Sequence, residues 1–199
     1  SELTHRGLGH TGLKVTRMAL GTATFGGQCD EETSFGILDR ALDAGITFID
    51  TADKYPLGSS HESAGVTESI VGRWISSRRA DVVVATKVHG PTGPNPWERG
   101  LGRRHVLEAV DASLSRLQIE AIDLYQLHRP DPDTPLVETL EVLSDLVRAG
   151  KVRYVGCSNF LAYQVAQALG KSEALGFVRF ASVQPRYNLL FRQPERELF

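Results

Sequence analysis

Short, unbroken apolar runs return along this chain with an amphipathic stretch between each pair, and this alternation limits the fold more than any other feature. The apolar runs fall at residues 18–25 (MALGTATF), 47–51 (TFIDT), 82–88 (VVVATKV), 121–127 (AIDLYQL), 152–157 (VRYVGC) and 180–184 (FASVQ). Between them lie stretches with helical spacing. Residues 31–44 carry Phe35, Leu38 and Leu42 and stop at Gly45; residues 67–77 carry Ile70, Val71, Trp74 and Ile75. Residues 103–117 carry Val106, Val110, Leu114 and Leu117, and residues 135–148 carry Leu136, Leu140, Leu143 and Leu146 before Gly150. A further helix is expected over 161–169, and a last one from Pro194. A strand that is apolar on both faces needs helices on both sides, which parallel sheets provide. About six strand–helix units recur at roughly 30 residues, the size of a βαβ unit. Doubly wound and barrel folds both fit this pattern.

One motif misleads. Residues 7–12 read GLGHTG, a formal match to the dinucleotide fingerprint. That fingerprint works only between a strand and a helix N-terminus, where phosphate meets free backbone N–H groups. Here the preceding residues are polar, and the following LKVTRMAL alternates as a strand does. A hairpin turn flanking the first barrel strand is expected instead.

Composition narrows the partners. Net charge is −2 with acids and bases interleaved, so neither nucleic acid nor a membrane surface is an expected partner. No apolar run approaches ~20 residues. Two distant cysteines, Cys29 and Cys157, suit a reduced, cytoplasmic setting. The six histidines form no i, i+4 pair and join no Cys/His cluster, so no metal site is expected.

Polar residues sit where apolar runs end. Asp50 closes one, Lys87 another, His128 follows a third, Ser158 and Asn159 a fourth, and Gln184 a fifth. Each alone has a plain explanation: Asp50 and Ser158 as helix caps, Lys87 as a snorkelling surface lysine, His128 as a bonded structural histidine. In a parallel barrel, however, all these ends share one face, and active sites are built there.

The segments DTADKY (50–55), Thr86-Lys87, LHRP (127–130), GCSNF (156–160), GTATFGG (21–27) and QPRYNLL (184–190) resemble aldo-keto reductase motifs, in the family's order. The resemblance covers essentially the whole chain and implies a TIM (β/α)8 barrel that reduces a small-molecule carbonyl with NADPH, or NADH in its place. It implies Tyr55 as general acid, Lys87 as the cation that lowers its pKa, Asp50 as the partner of Lys87, and His128 as the group orienting the carbonyl. Ser158, Asn159 and Gln184 would hold the nicotinamide carboxamide, with Gly21, Thr22 and Asp50 along the cofactor floor. His89, Trp97 and Arg129, next to the catalytic positions or in the loop beyond them, are candidate substrate contacts.

The family's barrel has eight strands, so residues 1–199 are expected to form one barrel domain lacking its C-terminal strands, with unpaired edges at 18–25 and 180–184. Residues 50–74 resemble bacterial reductases of deoxysugar biosynthesis, which suggests a keto sugar; a general reductase of small aldehydes and ketones is the other choice. The same family includes channel β subunits, so a cofactor-sensing binding module stands as an alternative function, and an inactive fragment as a third. Oligomeric state is left open.

Overall fold

The computed structural model describes residues 3–78 and 80–199. It opens with an antiparallel hairpin of β1 (His5–Gly7) and β2 (Lys14–Thr16). Residues 7–12 lie in this hairpin and its turn and are followed by a strand rather than a helix, so the glycine motif lacks the strand–turn–helix setting of the fingerprint. Gly9 is required there. It has φ +55, and a Cβ on it would meet the Ala181 carbonyl oxygen at 2.1 Å.

Six strands follow in one parallel sheet: β3 (Ala19–Gly21), β4 (Phe48–Asp50), β5 (Val83–Val88), β6 (Ile122–Leu127), β7 (Val152–Ser158) and β8 (Val183–Gln184). Their spatial order is their chain order. A doubly wound sheet reverses direction at a switch point. This one never does, and the six strands curl as a half-barrel, a partial TIM barrel. At the ends of the order, β3 and β8 each have a single strand neighbour.

Among the described residues five helices cover the sheet: α1 (Glu31–Asp43), α2 (Val66–Arg78), α3 (Arg103–Leu117), α4 (Leu136–Arg148) and α5 (Ala162–Leu175). Asp30 starts α1 by accepting the Thr33 N–H at 2.8 Å, and Glu31 and Glu32 complement the helix dipole. Gly45 and Gly150, at φ +82 and +74, end their helices as expected. Among the described residues no helix is long and apolar enough to cross a membrane.

Four expectations need correction. The helix predicted over 161–169 runs to Leu175 and ends at Gly176, φ +70. Its last turn is anchored by buried Ser172, whose hydroxyl donates to the Val178 carbonyl at 2.9 Å, while the Val178 N–H donates to Ser144 at 2.9 Å. Those bonds outweigh the roughly 1 kcal/mol helix penalty of Gly170. The first strand is confined to Ala19–Gly21. Thr22 donates both its N–H and its hydroxyl to the Asp50 carbonyl, at 3.0 and 2.9 Å, and the chain then turns to bury Phe25. The last elements shrink likewise: residues 180–184 pair only at Val183–Gln184, and the helix from Pro194 is one 3₁₀ turn, Gln193–Arg196.

The core lies between sheet and helices, where Trp74, Leu117, Tyr125 and Leu143 are almost wholly buried. Helix α2 crosses the end of α3 at Gly72, where a Cβ would sit 2.1 Å from the Arg116 carbonyl oxygen. Gly36, mid-way along α1, has nothing within 4 Å of that position. Gly72→Ala should therefore cost about 1–3 kcal/mol, whereas Gly36→Ala should stabilise by roughly 0.5–1 kcal/mol. Urea unfolding of the two variants checks this pair of opposite signs.

Candidate active site

Because the strands are parallel, their C-terminal ends form one rim, and register fixes which polar residues meet on it. Gly21 lies opposite Asp50, Asp50 opposite Ala85, Lys87 opposite Gln126, and Ser158 opposite Gln184. Lys87 is 2% exposed. An ammonium so buried needs a counter-charge and satisfied protons. Its Nζ donates to Asp50 Oδ2 at 2.6 Å and to the Thr51 carbonyl at 2.9 Å. Burial holds the Lys87 pKa below its ordinary value, opposed chiefly by Asp50.

Two amides close around this pair. Gln126 Nε2 donates to Asp50 Oδ1 at 3.3 Å and to Gln184 Oε1 at 3.4 Å, while Gln184 Nε2 donates to Asp50 Oδ2 at 3.4 Å. Gln126 was not among the sequence candidates. Its signal was legible: the one amide in the run IDLYQL, two residues before His128 and so on the same strand face.

Tyr55 lies over Lys87, whose Nζ is 5.3 Å from the ring centroid. Its ring meets that of His128 edge-on, 5.7 Å between centroids at 82°. The net shift of its pKa is upward, not downward as Lys87 alone would set it. Burial, then the Asp50 and Asp53 carboxylates, push the phenol up to about 12. His128 goes the other way: burial, then the cations Lys87, Arg129 and Lys54, bring its imidazole down to about 3. It is neutral near pH 7, and its buried Nδ1 has no hydrogen-bond partner.

The remaining rim residues knit neighbouring strands together. Ser158 Oγ donates to the Gln184 carbonyl at 2.8 Å. Asn159, at φ +59, donates to the His128 carbonyl at 2.9 Å and to Ser158 Oγ at 3.0 Å. Gln184 is exposed at the sheet's edge. Beside Asp50, Gly21 opens onto free space, with nothing within 4 Å of a notional Cβ.

A second polar cluster, absent from the sequence candidates, lies behind the rim. Glu68 of α2 is fully buried and accepts bonds from Thr86 Oγ1, Ser113 Oγ (3.2 Å) and Arg116 Nε (2.8 Å). Asp53 is fully buried with neither carboxylate oxygen bonded, and burial and then Glu68 raise its pKa well above the usual carboxylate range. A charge at position 68, on the same helix face as Val71, was the available sign. Of the substrate candidates, His89 and Arg129 line a cavity of about 730 Å³ together with Lys54. Trp97 does not line it; its half-exposed ring packs under the Arg104 guanidinium, 5.2 Å away.

The sequence model of the Aldo/keto reductase family matches residues 17–199. The chain belongs to that family. It is 44% identical over 199 residues to the uncharacterized oxidoreductase YrpG of Bacillus subtilis and 39% identical over 194 residues to the aldo-keto reductase YhdN of the same species. It is also 36% identical over 189 residues to the "Probable voltage-gated potassium channel subunit beta" of Arabidopsis thaliana. These alignments cover 96, 94 and 94% of this chain, but 60, 55 and 56% of the relatives. The chain thus spans less than two thirds of their length.

The depressed pKa of His128 sets an acid sensitivity. The imidazole charges near 6.5 when unfolded but only near 3 when folded. The unfolded chain therefore binds the extra proton between those values. Stability from this group is intact above pH 6.5 and falls by roughly 1 kcal/mol per pH unit within the window. Urea unfolding at pH 7 and pH 5 should show a larger loss in the wild type than in His128→Asn; equal losses would contradict this assignment.

Proposed function

We propose that this chain carries the catalytic rim of an NADPH-dependent carbonyl reductase built as one barrel domain, with NADH as the less favoured cofactor and an aldehyde, ketone or keto sugar as substrate. The observation that carries the reading is the buried Lys87–Asp50 pair with Tyr55 and His128 packed over it. NADPH, when bound, supplies the hydride. Tyr55 supplies the proton: a phenol pushed up to about 12 stays protonated near pH 7 and can be given to a carbonyl oxygen. Lys87 stabilises the phenolate left behind, since a nearby cation favours the charged form. Neutral His128 offers an N–H to the same oxygen and so orients the carbonyl. Gly21 and Thr22 form the floor for the nicotinamide, and Ser158, Asn159 and Gln184 the grip on its carboxamide.

His89 and Arg129 face the substrate in this reading, and Trp97 steadies the loop beside it. Their polarity, with the resemblance of residues 50–74 to deoxysugar-pathway reductases, favours a hydroxylated substrate such as a keto sugar over a lipophilic one. A second reading rests on the likeness to the plant channel subunit: a cofactor-sensing module whose role is to bind a partner. Turnover of added carbonyls separates the two.

Titration of NADPH into the purified chain, followed by nicotinamide fluorescence, should be saturable. With a carbonyl substrate, Tyr55→Phe should lower turnover by about 10²–10⁴-fold while NADPH binding is retained. Absence of binding by folded protein, or turnover indifferent to Tyr55→Phe, would refute the proposal.

A further inference from the structure

The cavity beside the rim carries more than a general polarity. Its walls are the loops after β4, β5 and β6, and it is lined by Lys54, His89, Arg99 and Arg129 together with Asp131 and Asp133. Lys54 immediately precedes Tyr55, and Arg129 immediately follows His128. Lys54, Arg129 and His89 all lie close enough to His128 to act on its charge.

The two signs of charge in this cavity are not equivalent. Asp131 is consumed by the fold. Its Oδ2 accepts the Leu101 N–H and the Thr134 hydroxyl, each at 2.7 Å, and its Oδ1 accepts the Asp133 N–H at 3.0 Å. It clips the two loops together and has little capacity left for a ligand. Among the described residues, by contrast, Lys54, Arg99 and Arg129 form no ion pair. The Lys54 stem is also pinned: it lies across Gly90, where a Cβ would meet Lys54 Cδ at 2.4 Å and Cβ at 2.8 Å. Any side chain at position 90 would push this stem aside. Among the described residues, three cations without ion pairs therefore line this open cavity against one uncommitted carboxylate, that of Asp133, and two of them adjoin Tyr55 and His128 in the chain.

We infer that this cavity is an anion subsite, in which Lys54, Arg99 and Arg129 bind a carboxylate or phosphate carried by the carbonyl substrate. The inference rests on the reductase reading above, which it narrows to acidic carbonyl compounds. Guanidinium groups suit such oxyanions because they offer paired N–H donors to two oxygens. His89, held below its ordinary pKa by burial and by Arg129, supplies a neutral hydrogen bond at the same wall.

The test is calorimetric titration at low ionic strength with two matched pairs: benzaldehyde against 4-formylbenzoate, and glyceraldehyde against glyceraldehyde 3-phosphate. At least one anion should bind roughly tenfold more tightly than its neutral counterpart, and the pair that shows the preference identifies carboxylate or phosphate. The Lys54→Gln/Arg99→Gln/Arg129→Gln variant should lose the preference. Arg99→Gln alone, on an exposed side chain, should weaken it without moving the unfolding midpoint. No preference in either pair, or a preference that survives in the triple variant, overturns the inference. Turnover of benzaldehyde without anion preference would sink the subsite alone. Selective anion binding without turnover of any carbonyl would sink the reductase reading and leave the subsite standing.

Discussion

A lysine ammonium inside a barrel has to be neutralised where it stands, and much of this site follows from how Lys87 meets that demand. The charge is 2% exposed. A buried cation without a partner would cost several kcal/mol, so Asp50 must end its strand within reach, and it does, at 2.6 Å. Asp50 in turn needs donors for its remaining lone pairs, and Gln126 and Gln184 provide them from two other strands. One ion pair thus ties β4, β5, β6 and β8 together at a single level of the rim. Tyr55 and His128 then pack over a positive charge whose position is set to within a hydrogen bond.

The electrostatics divide the labour. Burial pushes the phenol of Tyr55 up and the imidazole of His128 down, so both are neutral around pH 7. A neutral phenol is a proton donor, and a neutral imidazole keeps an N–H without adding a second positive charge beside Lys87. The cation is therefore useful at the moment a phenolate forms rather than before it. Lys87 alone would lower the Tyr55 pKa, but burial and the Asp50 and Asp53 carboxylates set the net shift upward.

Much of the fold was legible because its signals are local. The helix over 103–117 read clearly from apolar spacing and the strand over 152–157 fell one residue short of the observed Val152–Ser158, while Gly45 and Gly150 marked real helix ends. What was illegible depended on distant partners. Helix α5 outran Gly170 because Ser172, Val178 and Ser144 are joined across the fold, and β3 stopped early because Thr22 turns to bond Asp50. Periodicity left barrel and doubly wound folds equal; only the unreversed strand order separates them. In the site, residues at run ends stood out because polarity there contrasts with the strand. Gln126 and Glu68 gave weaker signals, a lone amide within a strand run and a charge on an apolar helix face, and Asp53 gave none, because its burial is set by tertiary packing.

The central claim is that Tyr55 is a buried, neutral phenol with Lys87 poised to stabilise its anion. Titration of ¹³Cζ-labelled tyrosine by NMR, in the wild type and in Lys87→Met, tests it most directly. The expected Tyr55 pKa is well above 10 in the wild type, close to the value of about 12 that burial and the nearby carboxylates impose, and it should rise further when the cation is removed. A wild-type value at or below 10, or one that Lys87→Met leaves unchanged, would contradict it.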